Sequence, residues 1–190
     1  VAAIRGTSQY RKASFLLDAK GEQIFPDFIE IEEDPLIPRA MGSAAFDNEG
    51  VATHHRRLVE KGVLNGYVLS SYSARRLGMR TTGNSGGVHN LIVRSNAGSL
   101  DSLLSQCTEG FLVGELLGQG VNTVTGDYSR GAAGFWVEDG EIAYPVHEVT
   151  IAGNLREIFK GIRAVGTDVD LRGSIRCGSV LVEGLTVAGT

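Results

Sequence analysis

Twenty-six glycines but four prolines stand among the 190 residues of this chain. That glycine share is roughly twice the usual value of about 7%. Glycine supplies the positive φ that tight turns need, so much glycine with little proline predicts many turns between short strands, not a flexible linker. Two turns are specified most sharply. Asp139-Gly140, between residues 134–138 and 141–146, predicts a type I′ hairpin. Lys61-Gly62, between residues 57–60 and 63–70, predicts another.

Further strands are expected at residues 23–33, where Phe28, Ile29 and Ile31 favour β structure and Pro26 confines the strand to an edge or a start. Residues 91–94 and 111–117 read as short strands, and residues 179–188 as a strand pair or one bent strand. Residues 33–40 and the polar, glycine-rich stretch 81–90 read as loops. Helices are few. Leu100, Leu103, Leu104 and Cys107 recur at helical spacing, with Ser99 as N-cap and Gly110 closing the segment. Residues 154–163 carry the apolar stripe Leu155, Ile158, Phe159 and Ile162, with Asn154 as cap. Residues 73–77 add one further turn. Strands outnumber helices and come in runs, which predicts an α+β fold with a mainly antiparallel sheet and a few short helices, not βαβ units.

Residues 1–190 read as one domain, long enough for a sizeable core. The start Val1-Ala2-Ala3-Ile4, without methionine or a capping residue, reads as the tail of a helix, with an N-terminal domain expected upstream. Hydrophobic residues make up 42% and charged residues 21%, which suits a soluble globular domain. The net charge of -4 gives no bulk attraction for nucleic acid, and the pairs Arg56-Arg57 and Arg75-Arg76 read as decoration of a solvated surface. No apolar run approaches the roughly 20 residues that span a bilayer. Cys107 and Cys177 form no CxxC pair and read as free thiols in a reducing compartment.

The residues with reactive side chains do not assemble a site by spacing alone. His54 and His55 are adjacent, so on a strand they face opposite ways. His89 sits in a glycine-rich loop. His147-Glu148 is followed by Ile151 and Ala152, so the chain has neither HExxH nor HExxxH. Cys177 is either a small buried side chain or a metal-facing position. Ser129 lies in Gly126-Asp127-Tyr128-Ser129-Arg130-Gly131, which is not a nucleophile elbow. Asp127 and Arg130 are expected to pair across a structural turn, or else Arg130 holds a peptide carboxylate through its planar fork. The glycine-rich loop at 83–87 lacks the GK[ST] ending of a phosphate loop, and residues 118–122 lack the third glycine of a dinucleotide fingerprint. The residues by themselves lead to an α+β domain without a self-sufficient catalytic site.

Several segments nevertheless resemble the C-terminal half of one family. They are Tyr10-Arg11-Lys12 with Ser14-Phe15-Leu16-Leu17-Asp18, Phe46-Asp47-x-Glu49-Gly50-Val51 and Ser71-Tyr72-Ser73-Ala74-Arg75. They continue with Gly118-Gln119-Gly120-Val121, the run TGDYSRGAAGFWVE at 125–138, Thr150-Ile151-Ala152-Gly153-Asn154 and Cys177-Gly178-Ser179-Val180-Leu181. In this order, over nearly the whole chain, they resemble the TldD/PmbA peptidase family on its PmbA (TldE) side. The resemblance implies a two-subunit cytoplasmic metallopeptidase that processes or degrades unfolded peptides. In it a TldD-type partner carries an HExxxH helix and a cysteine that hold zinc, and the PmbA-type subunit completes the complex without a zinc site of its own. Cys177 matches the position of the ligand cysteine, but no histidine partners accompany it, and stable zinc sites have three or four ligands. No catalytic or metal residue is therefore expected in this chain, and no cofactor. Asp127 and Arg130 are the expected peptide contacts. Nucleic acid and membrane are not expected partners. The competing expectations are a regulatory protein acting on another enzyme, after the older family label modulator of DNA gyrase, and an independent hydrolase built on Ser129 or Cys177.

Overall fold

The computed structural model of the chain describes residues 1–189. A 3₁₀ turn at Ala2–Ile4 leads into α1 (Gly6–Tyr10), β1 (Ile31–Glu33), β2 (Arg56–Glu60) and β3 (Val63–Leu64). Then come α2 (Ser71–Arg76), β4 (Leu91–Val93), α3 (Leu100–Leu104), β5 (Glu109–Leu117), β6 (Asp127–Glu138) and β7 (Glu141–Asn154). The chain continues with α4 (Leu155–Lys160), β8 (Ile162–Val165), β9 (Ile175–Arg176), β10 (Val180–Val182) and β11 (Thr186–Ala188). The strands form a five-stranded sheet in the order β3-β2-β1-β4-β9, a four-stranded sheet in the order β11-β7-β6-β5, and the pair β10-β8. The pairing of β4 with β9 is parallel and the other strand pairs are antiparallel. This is the α+β architecture expected from the run of strands. Among the described residues no helix is long and apolar enough to cross a membrane.

The main core lies against the five-stranded sheet and gathers Phe15, Leu16, Ile24, Ile29, Leu64, Leu69 and Val165. The stripe of α4 closes over it through Phe159, whose ring sits 4.6 Å from Phe25 and 5.9 Å from Phe15. The four-stranded sheet has a smaller core of Ala132, Val149 and Ile151, with Phe111, Tyr128 and Val146 packed on it.

Both expected hairpins form. Lys61 and Gly62 have φ of 48° and 75°, and Asp139 and Gly140 have 48° and 84°, the left-handed pair that a type I′ turn demands. Gly62 also has no room for a side chain, because a Cβ there would stand 2.2 Å from the Phe25 carbonyl oxygen.

That close approach explains one departure. Residues 23–33 form a strand at Ile31–Glu33 alone. Ile24 and Phe25 donate their N–H groups to the Gly62 carbonyl, and Gly62 donates to Ile29, so this segment wraps the hairpin tip instead of entering a ladder. Val63–Leu64 is likewise short, since Val68 turns away to exchange backbone bonds with Ile4 and Gly6. In α3, Ser99 stands at the N-cap without a side-chain bond, and Gly110 lies inside β5 rather than closing the helix. There the carbonyls of Cys107 and Thr108 accept from Gly140 and Asp139, which draws the chain into the second hairpin. Asn154 caps α4 as expected, its side chain accepting from the Arg156 N–H, but Gly161 ends the helix and Ile162 starts β8. The last strands neither pair with each other nor form one bent strand: β10 joins β8 and β11 joins β7. The start of the chain is one 3₁₀ turn followed by α1, a helix the apolar spacing does not announce.

Candidate functional site

An open cleft of about 570 Å³ lies at the end of the four-stranded sheet, lined by Gln119–Thr123 and by Asp127, Tyr128 and Ser129. Local chemistry builds it. β5 stops at Leu117 and the chain reverses through Gly118, at φ 70°. It then returns along the start of β6. Ser129 donates to the Gly120 carbonyl at 2.8 Å, Asn122 to the Asp127 carbonyl at 2.9 Å, and Val121 bridges Tyr128. The Asn122 side chain accepts from the N–H groups of Val124 and Thr125, an Asx turn that closes the loop.

Asp127 lines this cleft, and Arg130 is not among the lining residues. The expected pairing of the two does not occur. Three positions apart on a strand they face opposite sides, and each has other partners. The Asp127 carboxylate accepts from Thr125 Oγ1 at 2.6 Å and from Asn154 Nδ2 at 3.2 Å. The Arg130 guanidinium donates from Nη2 to the Leu116 and Gly118 carbonyls at 3.2 and 2.7 Å. Arg130 thus ties down the end of β5, while Asp127 presents a carboxylate with no cation paired to it among the described residues.

The strand order leaves β5 at the edge of its sheet. The outer side of this nine-residue strand carries backbone donors and acceptors that take no partner strand, and Val113, Leu116 and Leu117 stand exposed along it.

The glycine-rich loop at 83–87 is occupied internally. Gly83 donates to Thr81 Oγ1, Ser85 to the Asp47 carboxylate and Gly87 to the Asn84 carbonyl. Its donors converge on the protein rather than on a phosphate. The spacing of residues does not announce the buried network beside it. Glu33, 1% exposed, accepts from Arg56 Nε, Asn84 Nδ2 and the His89 N–H at 2.8, 2.7 and 2.6 Å.

Cys177 packs against the main core, and burial, followed by the negative charge of Asp168, pushes its thiol up from the ordinary value. A raised thiol pKa makes the nucleophilic thiolate scarcer at neutral pH. Among the described residues no three His, Cys, Asp or Glu side chains converge to hold a metal. His54, His55 and His147 are exposed, and the His89 ring contacts the Gly42 carbonyl.

A protein-family model, the PmbA/TldA metallopeptidase C-terminal domain, matches residues 1–189. The chain is 50% identical over 189 residues to Metalloprotease PmbA of Escherichia coli O157:H7, covering 100% of this chain and 42% of that protein. Identity to a Metalloprotease TldD homolog of Buchnera aphidicola is 23% over 212 residues, 98% of this chain and 44% of the relative. Among solved structures, a Bacteroides thetaiotaomicron protein described as a candidate modulator of DNA gyrase superposes with a TM-score of 0.94 at 35% identity, over 100% of this chain and 43% of its own. TldE from Thermococcus kodakarensis superposes with a TM-score of 0.86 at 27% identity, over 99% and 46%.

Proposed function

This chain belongs to the PmbA/TldA metallopeptidase C-terminal domain family, and from that premise we propose that it serves in a PmbA-type subunit of a cytoplasmic peptidase complex that processes or degrades unfolded peptides. The observation that carries this reading is the whole-chain identity to Metalloprotease PmbA, twice that to the TldD homolog. The chain spans less than half the length of these relatives, so the activity is a proposal for the assembled protein. In this reading the zinc belongs to a TldD-type partner.

The chain's own contribution is to hold substrate. An unfolded peptide is an extended chain with unpaired backbone groups, and the open side of β5 offers a matching row without demanding any one side-chain sequence. At the end of that strand Asp127 supplies a carboxylate to a peptide N–H or amino terminus, and Arg130 keeps the strand end in place.

The test incubates the full-length protein with an unstructured peptide, with and without a TldD-type subunit, and measures zinc by elemental analysis. Cleavage and stoichiometric zinc are expected with the partner present. Cleavage by the subunit alone, with one zinc per chain, overturns the reading. A second reading, a regulatory protein acting on another enzyme, draws on the similarity to the protein described as a candidate modulator of DNA gyrase. It predicts an altered supercoiling assay without proteolysis.

A further inference from the structure

We propose that the surface formed by α1 and α2 is a docking site for a short acidic polypeptide segment, gripped by Arg11 and Arg76 around Tyr10. The two helices are brought together by the fold from positions sixty residues apart in the chain. Tyr10 ends α1 and Arg11 follows it as the C-cap. Arg75 and Arg76 form the last turn of α2. The guanidinium carbons of Arg11 and Arg76 lie 5.8 and 5.7 Å from the centroid of the Tyr10 ring. Tyr72 meets the same ring at 5.9 Å, nearly perpendicular at 81°, and is itself 54% exposed.

The cations here have no ion-pair partner among the described residues. Among the described residues the ion pairs of arginine and lysine engage Arg56, Arg57, Arg94, Lys160, Arg163 and Arg172. Among the described residues Arg11, Lys12, Arg75, Arg76 and Arg80 have no carboxylate within pairing distance, in a chain whose acidic residues outnumber its basic ones by 22 to 18. Glu49 touches α2 at its first residue, where it accepts from the Ser71 N–H, at the end of the helix away from Arg76. Two like charges thus share one ring, with no carboxylate paired to either among the described residues. The ring quadrupole attracts each cation weakly and leaves the outer edges of both guanidinium forks free.

Carboxylates fit those forks bidentately. The length of the partner follows from the charge outside the patch. A long polyanion such as nucleic acid runs past the patch and over the surface of a chain whose acidic residues outnumber its basic ones, whereas a short acidic stretch stays on the patch. The exposed Tyr72 ring provides an apolar wall beside the charges.

Fluorescence anisotropy on the full-length subunit tests this without reference to cleavage. The probe is a labelled tetrapeptide of alternating glutamate and serine, with a lysine-serine tetrapeptide, a glycine-serine tetrapeptide and a dodecathymidylate as comparisons. The acidic peptide is expected to bind tightest and to weaken as salt rises from about 50 to about 200 mM. The double variant Arg11→Ala/Arg76→Ala is expected to lose at least about tenfold in affinity. The double lysine variant retains part of it, and Arg163→Ala, which removes a paired cation elsewhere, changes nothing. Equal binding of the acidic and glycine-serine peptides, or unchanged affinity in a double variant that melts like the parent, overturns the proposal. Tighter binding of the thymidylate, lost in the same variants, also overturns it and makes the patch a nucleic-acid site.

Discussion

Glu33 ties two parts of the chain to β1 with one carboxylate: β2 through Arg56, and the loop that follows α2 through Asn84 and the His89 N–H. Its side chain is 2% exposed and that of Arg56 14%, so removing the acid leaves a nearly buried cation unpaired. Glu33→Ala is expected to cost about 3–5 kcal/mol in urea denaturation. A loss under about 1 kcal/mol would show the network to be dispensable. Asp47, 4% exposed, plays a related part beside that loop. Burial pushes its carboxyl up, but the N–H groups of Ser85, Val51 and Glu49, with the charge of His89, outweigh this and hold it below its ordinary value of 3.8. A carboxyl more acidic in the folded than in the unfolded chain stabilises above the unfolded value, and that stability is lost as pH falls through the folded one. Asp47→Asn should therefore lower stability at pH 7 and flatten the acid limb below about pH 4. An unchanged slope there would remove Asp47 from the acid response.

At the scale of elements, β6 carries the four-stranded sheet because it pairs along its length with both β5 and β7. Gly134 marks the tightest approach among the glycines within its strands: a Cβ there would stand 2.0 Å from the Leu112 carbonyl oxygen and 2.8 Å from the Gly114 nitrogen, at the bulge between β5 and β6. Gly134→Ala must push the strands apart and is expected to cost about 1–3 kcal/mol, with loss of β5 pairing. Gly131 provides the contrast within the same strand, since its Cβ would meet Leu117 at an ordinary 3.4 Å. Gly131→Ala should leave the melting temperature nearly unchanged. Equal effects of the two substitutions would show that strand propensity, not the close approach, governs both.

At the scale of the whole molecule, the two sheets are unequally covered. The five-stranded sheet has a packed core, whereas Val113, Leu116, Leu117, Phe135, Ile142 and Tyr144 on the four-stranded sheet remain 39–50% exposed beside an open edge. Exposed apolar surface next to unpaired strand groups drives association. Residues 1–190 alone are expected to self-associate in sedimentation at roughly 100 µM, and Val113→Lys with Leu117→Lys to restore the monomer. A clean monomer of the parent sequence at that concentration would count against this surface as a contact region.

Much of this was legible in the residues. Lys61-Gly62 and Asp139-Gly140 specify their hairpins, and Asn154 with its apolar stripe specifies α4, because backbone sterics and caps act between neighbours. The α+β class followed from the same local signals, and the family from long segments in order. Asp127 was singled out and does line the cleft, but its partners were not foreseeable, since Asn154 reaches it from a strand whose register is set by every pair along β6 and β7. Pairing across large sequence separations is settled by which edges and core faces are free once the rest has packed. Tertiary structure alone therefore decided that β10 and β11 part to different sheets, that Glu33 meets Asn84, and that Arg11 and Arg76 share one ring.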